Sequence, residues 1–120
     1  METTIKWNAN LFGVEIQTKN EHFVISAQPS MAMNWNDAVR YFEGNKEWEL
    51  PTQEQLQVVV SNIVEVNEII KANGGFEIRG WLWSVCEYDK FCAWLVYMGD
   101  GETGSGNKGN LGYVRAVSAL

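Results

Sequence analysis

Trp81-Leu82-Trp83-Ser84-Val85-Cys86-Glu87-Tyr88, then Ala93-Trp94-Leu95-Val96-Tyr97-Met98, then Tyr113-Val114-Arg115-Ala116-Val117 are the segments that decide how this chain folds. Each is short, rich in aromatic and β-branched residues, and bounded by polar or glycine-bearing sequence, which is the pattern of strands joined by turns. We read strands over residues 81–86, 93–98 and 113–118. Between the last two lies a stretch with glycine at 99, 101, 104, 106, 109 and 112 and Leu111 as its one large apolar residue. Such a stretch cannot build a core, so it is expected to be a loop retained for what it contacts, on a surface rather than in a catalytic cleft.

Upstream, the apolar period changes from two to 3.6. Trp48-Glu49-Leu50-Pro51-Thr52 leads into a helix, with Thr52 and Gln55 in capping-box spacing and Pro51 holding its predecessor extended. Leu56, Val59, Val60, Ile63, Val66 and Ile70 form one continuous stripe, which Asn73-Gly74-Gly75 stops. So many β-branched residues make a poor isolated helix, and tertiary packing must hold it. A shorter helix opens at Asn34-Trp35-Asn36-Asp37, where Asn34 or Asn36 caps it and Trp35, Ala38, Val39 and Phe42 share a face up to Gly44. Earlier still, residues 12–17 and 22–27 alternate around Val14, Ile16, Phe23 and Ile25, with a polar break between, and read as a hairpin. Hairpin, two helices, then strands spells an α+β fold, two helices packed on a mainly antiparallel sheet, as a single domain over residues 1–120.

Composition bounds the function. At 120 residues and 46% hydrophobic, the chain has enough apolar surface for one core. A net charge of −6 argues against nucleic acid and anionic membrane surfaces. No apolar run reaches membrane-spanning length, so no membrane insertion is expected. Met1-Glu2-Thr3-Thr4-Ile5-Lys6-Trp7 lacks the apolar core of a signal peptide, which suggests an intracellular or particle-borne protein, or a leader left out. Cys86 and Cys92 flank a short connection and are either paired across a hairpin or free; without a secretion signal, free thiols are favoured.

Catalysis finds little support. His22 is the single histidine, with no Ser or Cys at a defined spacing, so neither a triad nor a zinc site is expected, nor any cofactor. Asp100, Glu102 and Asn107 carry oxygens suited to calcium but have no fixed ligand spacing, and read as a solvated loop. The Trp35-Asn36-Asp37 triplet reads as a helix start. In the late strands, Trp94, Val96 and Met98 are expected to face the core, leaving Leu95 and Tyr97 outward, where with Phe91 they make a contact patch. Trp83 and Trp94 are expected in the core, with Trp81 flanking the patch. Arg115, between Val114 and Ala116, is expected to be a buried anchor on an acidic or carbonyl partner.

Several of these pieces recur together elsewhere. Gly13-Val14, His22 to Ile25, Trp35 with Asp37-Ala38, Trp48 to Leu56, Trp83-Ser84, Glu87-Tyr88, Ala93-Trp94, Gly101 and Tyr113 to Val117 make the chain resemble bacterial major-paralogous-domain and Lcl-type C-terminal domains. That resemblance spans nearly the whole chain and implies a C-type-lectin-like fold. The formylglycine-generating enzymes share that broader fold and use a cysteine pair, but no other motif of that class is present. Within it, Trp83-Ser84, Glu87-Tyr88, Ala93-Trp94, Val96, Gly101, Lys108 and Tyr113-Val114-Arg115 resemble the fixed frame in the variable region of diversity-generating-retroelement target proteins.

In such proteins adenine-directed changes diversify Asn codons between the frame residues, and cannot yield Trp, Met, Lys, Glu or Gln. The positions that correspond here are Cys86, Asp89, Phe91, Cys92, Leu95, Tyr97, Gly99, Asp100, Thr103, Gly104, Ser105, Gly106, Asn107, Gly109, Asn110, Leu111 and Gly112, all compatible residues; Lys90 and Glu102 are not. The resemblance implies a diversified receptor-binding protein, phage-borne or on a bacterial surface, reaching a protein or glycan ligand through Tyr88, Asp89, Phe91, Leu95, Tyr97, Asp100, Asn107 and Asn110. The alternatives are a fixed glycan-binding adhesin domain, and a structural module that forms a homo-oligomer or part of a larger assembly.

Overall fold

The computed structural model describes residues 2–120 and has an α+β architecture of two sheets and three helices. Strands β1 (Thr4–Asn8), β2 (Gly13–Gln17), β3 (His22–Ser26) and β9 (Val117–Ala119) form an antiparallel sheet in the order β1-β2-β3-β9, so the first and last strands are its two edges. The second sheet runs β4-β8-β5-β6-β7, from β4 (Met31–Asn34), β5 (Trp81–Glu87), β6 (Cys92–Tyr97), β7 (Thr103–Asn107) and β8 (Leu111–Val114). Its one parallel pairing joins β5 to β8.

The helices are α1 (Trp35–Phe42), α2 (Gln53–Ser61) and α3 (Ile63–Ala72). Asn34 caps α1, its Oδ1 accepting from Asp37 N–H at 2.8 Å, and Thr52 with Gln55 closes the full capping box on α2. The continuous apolar stripe predicted one long helix, but the chain breaks it at Asn62. Ser61 Oγ and Asn62 Nδ2 both donate to carbonyls four residues back, at 2.9 and 2.8 Å, and this competition with the helical ladder bends the run. Gly74, at φ 76°, ends α3 in the left-handed conformation that a Cβ would disfavour.

Two cores hold these layers. The first joins Val14, Ile16, Phe23 and Ile25 of the first sheet to Leu56, Val59, Val66 and Ile70 of α2 and α3, to Leu82 and Val96 of the second sheet and to Met98 just past β6. Each such burial is worth about 2 kcal/mol, against about 0.5 kcal/mol of helix propensity lost by a β-branched residue, so packing decides the helices. The second core lies on the opposite face of the second sheet, where Trp35, Ala38 and Phe42 of α1 meet Leu50, Trp83, Ala93 and Val114.

Two parts of the late segment differ from expectation. The glycine-rich stretch is not a loop: β7 pairs with β6 from Cys92↔Asn107 to Val96↔Thr103, and β8 pairs with β4. Strands made of Thr-Gly-Ser-Gly-Asn carry no apolar period, so backbone pairing to an apolar neighbour forms β7. The last predicted strand is divided, β8 serving the second sheet and β9 the first, with Arg115 at the crossover. Arg115 is 2% exposed and donates to the carbonyls of Ser26, Phe76 and Glu77 and to Ser30 Oγ. Burial pushes its guanidinium down to about 10, yet five hydrogen bonds from Nε, Nη1 and Nη2 keep the charge satisfied. The expected carbonyl anchor is therefore present, with no carboxylate.

Candidate functional site

Period two places Trp81 and Trp83 on one face of β5, and Ala93, Leu95 and Tyr97 on the matching face of β6. Helix α1 covers Trp83 and Ala93 at one end of this face. The rest stays open as a cleft of about 500 Å³ lined by Trp81, Trp83, Leu95, Leu111 and Tyr113, with Gly104, Gly106 and Gly112 among them. Asn110 and Tyr113 supply its polar side chains, while Ser105, paired with Trp94, borders it through its backbone between the two glycines.

The glycines explain why the cleft exists. A Cβ on Gly112 would stand 2.6 Å from Trp83 Nε1, one on Gly106 2.8 Å from Leu95 Cδ1, and one on Gly104 3.4 Å from Trp81 Cζ3. The indoles and Leu95 thus occupy space that side chains on β7 and β8 would otherwise fill. Trp83 is fixed by its Nε1–H donating to Met33 O at 3.1 Å. Trp81 remains 38% exposed and leans on Tyr97, ring centroids 5.2 Å apart.

A second group sits at the β5–β6 hairpin tip. Asp89 Oδ1 accepts from the backbone N–H of Phe91 and of Cys92, both at 2.8 Å, which shapes the turn. Phe91 stands 66% exposed at that tip, beside Lys90, whose Nζ lies 5.7 Å from the ring centroid. Lys108 fastens the tip from below: its N–H donates to Phe91 O, and its Nζ to Lys90 O and Glu87 Oε2. Ser84, fully buried beside the irregularity in β5, donates to Trp94 O and accepts from Cys86 N–H.

The residues expected to bind are therefore distributed over the late sheet and not gathered at one point. Leu95 and Asn110 line the cleft, and Tyr97 borders it through Trp81. Tyr88, Asp89 and Phe91 lie at the hairpin tip, while Asp100 lies beyond the opposite end of β6, roughly 17 Å away at about 3.4 Å per residue. Asp100 Oδ1 and Asn107 Oδ1 each hold a turn, accepting from Glu102 N–H and Gly109 N–H at 2.8 Å. Leu95 does face away from the first core, but it is half-buried against Trp83 and the second core, because that face is covered too.

Trp94 departs from expectation in the other direction. Val96 and Met98 are buried in the first core, but Trp94 is half-buried, joins neither core, and is met edge-on by Tyr88 at 5.0 Å. Trp83 is in the core as expected. Cys86 and Cys92 are free and half-buried.

Three lining residues escaped the sequence reading as a cleft: Trp83, Leu111 and Tyr113. The signal was present in the Trp-x-Trp spacing of β5 beside the Gly-x-Gly spacing of β7, which together place bulk opposite absence of bulk. Exposed charge around β7 is mostly acidic, with Asp100 and Glu102 at one end and Asp89 with Lys90 near the other. Among the described residues there is no group of three or more His, Cys, Asp or Glu side chains arranged to hold a metal ion, and Asn107 lies at the far end of β7 from Glu102. Nor, among the same residues, is any helix long and apolar enough to cross a membrane. Comparison with protein-family models and with curated proteins returned no match.

Proposed function

We propose that this chain is a non-enzymatic ligand-binding domain, a C-type-lectin-like scaffold that displays a diversified binding face on its second sheet. One observation carries this reading. None of the positions that correspond to diversified sites, from Cys86 to Gly112, is buried, and only Leu95, Gly106 and Gly112 among them press on the second core or its indole. By contrast Trp83, Ser84, Ala93, Val96, Lys108, Val114 and Arg115 of the resembled frame are buried, although its Glu87, Tyr88 and Tyr113 are exposed and its Trp94 and Gly101 half-buried. A protein that tolerates change at many positions must keep them out of its cores, because one core substitution costs about 2–5 kcal/mol, a large share of a typical margin of about 5–15 kcal/mol. The placing of the first and last strands in one sheet, at its two edges, supports the lectin-like scaffold.

The test randomises Asp89, Phe91, Tyr97, Asp100, Asn107 and Asn110 together on displayed copies of the domain and scores protease resistance. The expected result is that most variants fold, while the same treatment of Ser84, Ala93, Lys108 and Arg115 destroys nearly all. Equal loss from both sets sinks the diversified face. An adenine-biased copy of the segment encoding residues 83–117 near the gene would support it independently.

A fixed glycan-binding adhesin domain is the second reading, favoured by the exposed Trp81 leaning on Tyr97, an aromatic surface on which a sugar ring can stack. Binding to one glycan class on an array, lost in Trp81→Ala, would select it.

A further inference from the structure

Resting on the proposed binding face, we infer that its ligand is an extended, basic polypeptide segment that adds as a sixth strand to the free edge of β7 and sets apolar side chains into the adjoining cleft. The edge is the first observation. Tyr97 N–H donates to Glu102 O at one end of the β6–β7 pairing and Lys108 N–H to Phe91 O at the other. Bonded pairs recur at every second residue of an antiparallel ladder, so Gly104 and Gly106 face β6. Thr103 and Ser105 therefore direct both N–H and C=O outward, and among the described residues neither makes another backbone hydrogen bond.

The other sheet edges carry protection. β1 has Lys6 at its centre, β4 is only four residues long and follows Pro29, and β9 is bridged by Glu49 at Val117. β7 has no Lys, no Pro and an unbroken register with β6. Among the described residues it alone offers an unguarded row of backbone groups.

The cleft and the charge identify what fits there. A strand added about 4.8 Å from β7 places alternate side chains on the face of Gly104 and Gly106. With no Cβ on either glycine, nothing on β7 stands between those side chains and Trp81 or Leu95. Apolar side chains at every second position fill that space. A sugar, by contrast, presents hydroxyls to a cleft lined mostly by Trp81, Trp83, Leu95 and Leu111, with Asn110 and Tyr113 as its polar side chains. Asp100 and Glu102, exposed at the start of β7 on a molecule of net charge −6, favour a basic residue at that end of the partner.

The experiment selects a displayed library of random twelve-residue peptides against the intact domain, then measures the enriched peptides in solution by isothermal titration. Enriched sequences should alternate apolar residues with Lys or Arg. N-methylation of their backbone amides should weaken binding about tenfold at every second position and leave the intervening ones unchanged. This probes the edge without altering the protein. Ser105→Pro, which removes an outward N–H, should weaken binding about as much while the melting transition is kept. Enriched peptides that ignore both changes but lose binding in Trp81→Ala overturn strand addition and leave the face standing. Peptides that ignore Trp81→Ala as well, or no enrichment at all, overturn both. Concentration-dependent dimers abolished by Ser105→Pro would overturn the peptide in favour of a second copy of this chain.

Discussion

Lys108 Nζ lies 2.6 Å from Glu87 Oε2 and 4.7 Å above the Trp35 ring, so one buried ammonium joins β5, the end of β7 and the first residue of α1. Its backbone adds to this, with Lys108 O accepting from Trp35 N–H and Lys108 N–H donating to Phe91 O. The side chain is 11% exposed while that of Glu87 is 58% exposed, which limits what the ion pair alone contributes. The part-buried donation to Lys90 O and the indole contact matter more.

Lys108→Met should therefore cost about 1–2 kcal/mol in urea denaturation, and Glu87→Gln less than about 1 kcal/mol. The hairpin tip should loosen in Lys108→Met, seen as faster amide exchange at Phe91 and Cys92. Equal effects of the two substitutions would mean that the ion pair, not the buried contacts, carries the stabilisation.

Arg115 should be the most sensitive polar position. Arg115→Met leaves the carbonyls of Ser26, Phe76 and Glu77 facing a buried apolar side chain, at a cost of about 3–5 kcal/mol. Arg115→Lys should recover little, because an ammonium cannot reproduce the planar fork that reaches three carbonyls and Ser30 at once. A lysine variant with wild-type stability in a urea titration would contradict this account.

Phe91 and Leu95 separate exposure from orientation. Both were expected on the outward patch, but Phe91 is 66% exposed and Leu95 packs on the second core. Phe91→Ser should change stability by less than about 0.5 kcal/mol, and Leu95→Ser should cost about 1–3 kcal/mol. Thermal melts of the two single variants decide it, and similar losses would put Phe91 in the core.

These contrasts mark what was legible in the sequence. The first hairpin, the Asn34 and Thr52 caps and the inward set Val96 and Met98 follow from local period and capping chemistry. Local rules are enough there because each element's own side chains fix it. The break at Asn62 escaped because it depends on two side-chain bonds to the backbone, while the apolar stripe runs straight through. β7 escaped because its pairing partner, not its composition, makes it a strand. The second core escaped because nothing in the alternation of β6 states that α1 covers its other face. That same omission made Leu95 look free and hid the cleft, whose floor is written in glycines.

Acid should weaken the fold through Glu15. The hydrogen bond from His22, at 2.9 Å, is the largest cause holding its carboxyl below the usual 4.5, helped by Asn8 and Lys6 and opposed by burial. A carboxylate with a lowered folded pKa contributes stability that is fully present above about 4.5 and is lost as pH falls through the folded value. Glu15→Gln should therefore flatten the decline in urea midpoint between pH about 5 and about 3, lowering stability at neutral pH more than in acid. A decline as steep as that of the unaltered protein would assign the acid sensitivity elsewhere.

Gly112 and Gly104 test whether the cleft is built by absence. A methyl at Gly112 meets Trp83 Nε1 at 2.6 Å, and Trp83 is 1% exposed with its N–H committed to Met33 O, so the indole cannot yield without breaking that bond and disturbing the second core. A methyl at Gly104 meets Trp81 Cζ3 at 3.4 Å, ordinary contact with a ring that is partly free to move. Gly112→Ala should accordingly cost about 1–3 kcal/mol, the usual range for overpacking, while Gly104→Ala stays within about 0.5 kcal/mol and only narrows the cleft. Paired urea titrations, with tryptophan fluorescence as the readout, measure both stability and the environment of the indoles. If Gly112→Ala is as mild as Gly104→Ala, Trp83 is not pinned by Met33, and the cleft wall is softer than its hydrogen bond implies.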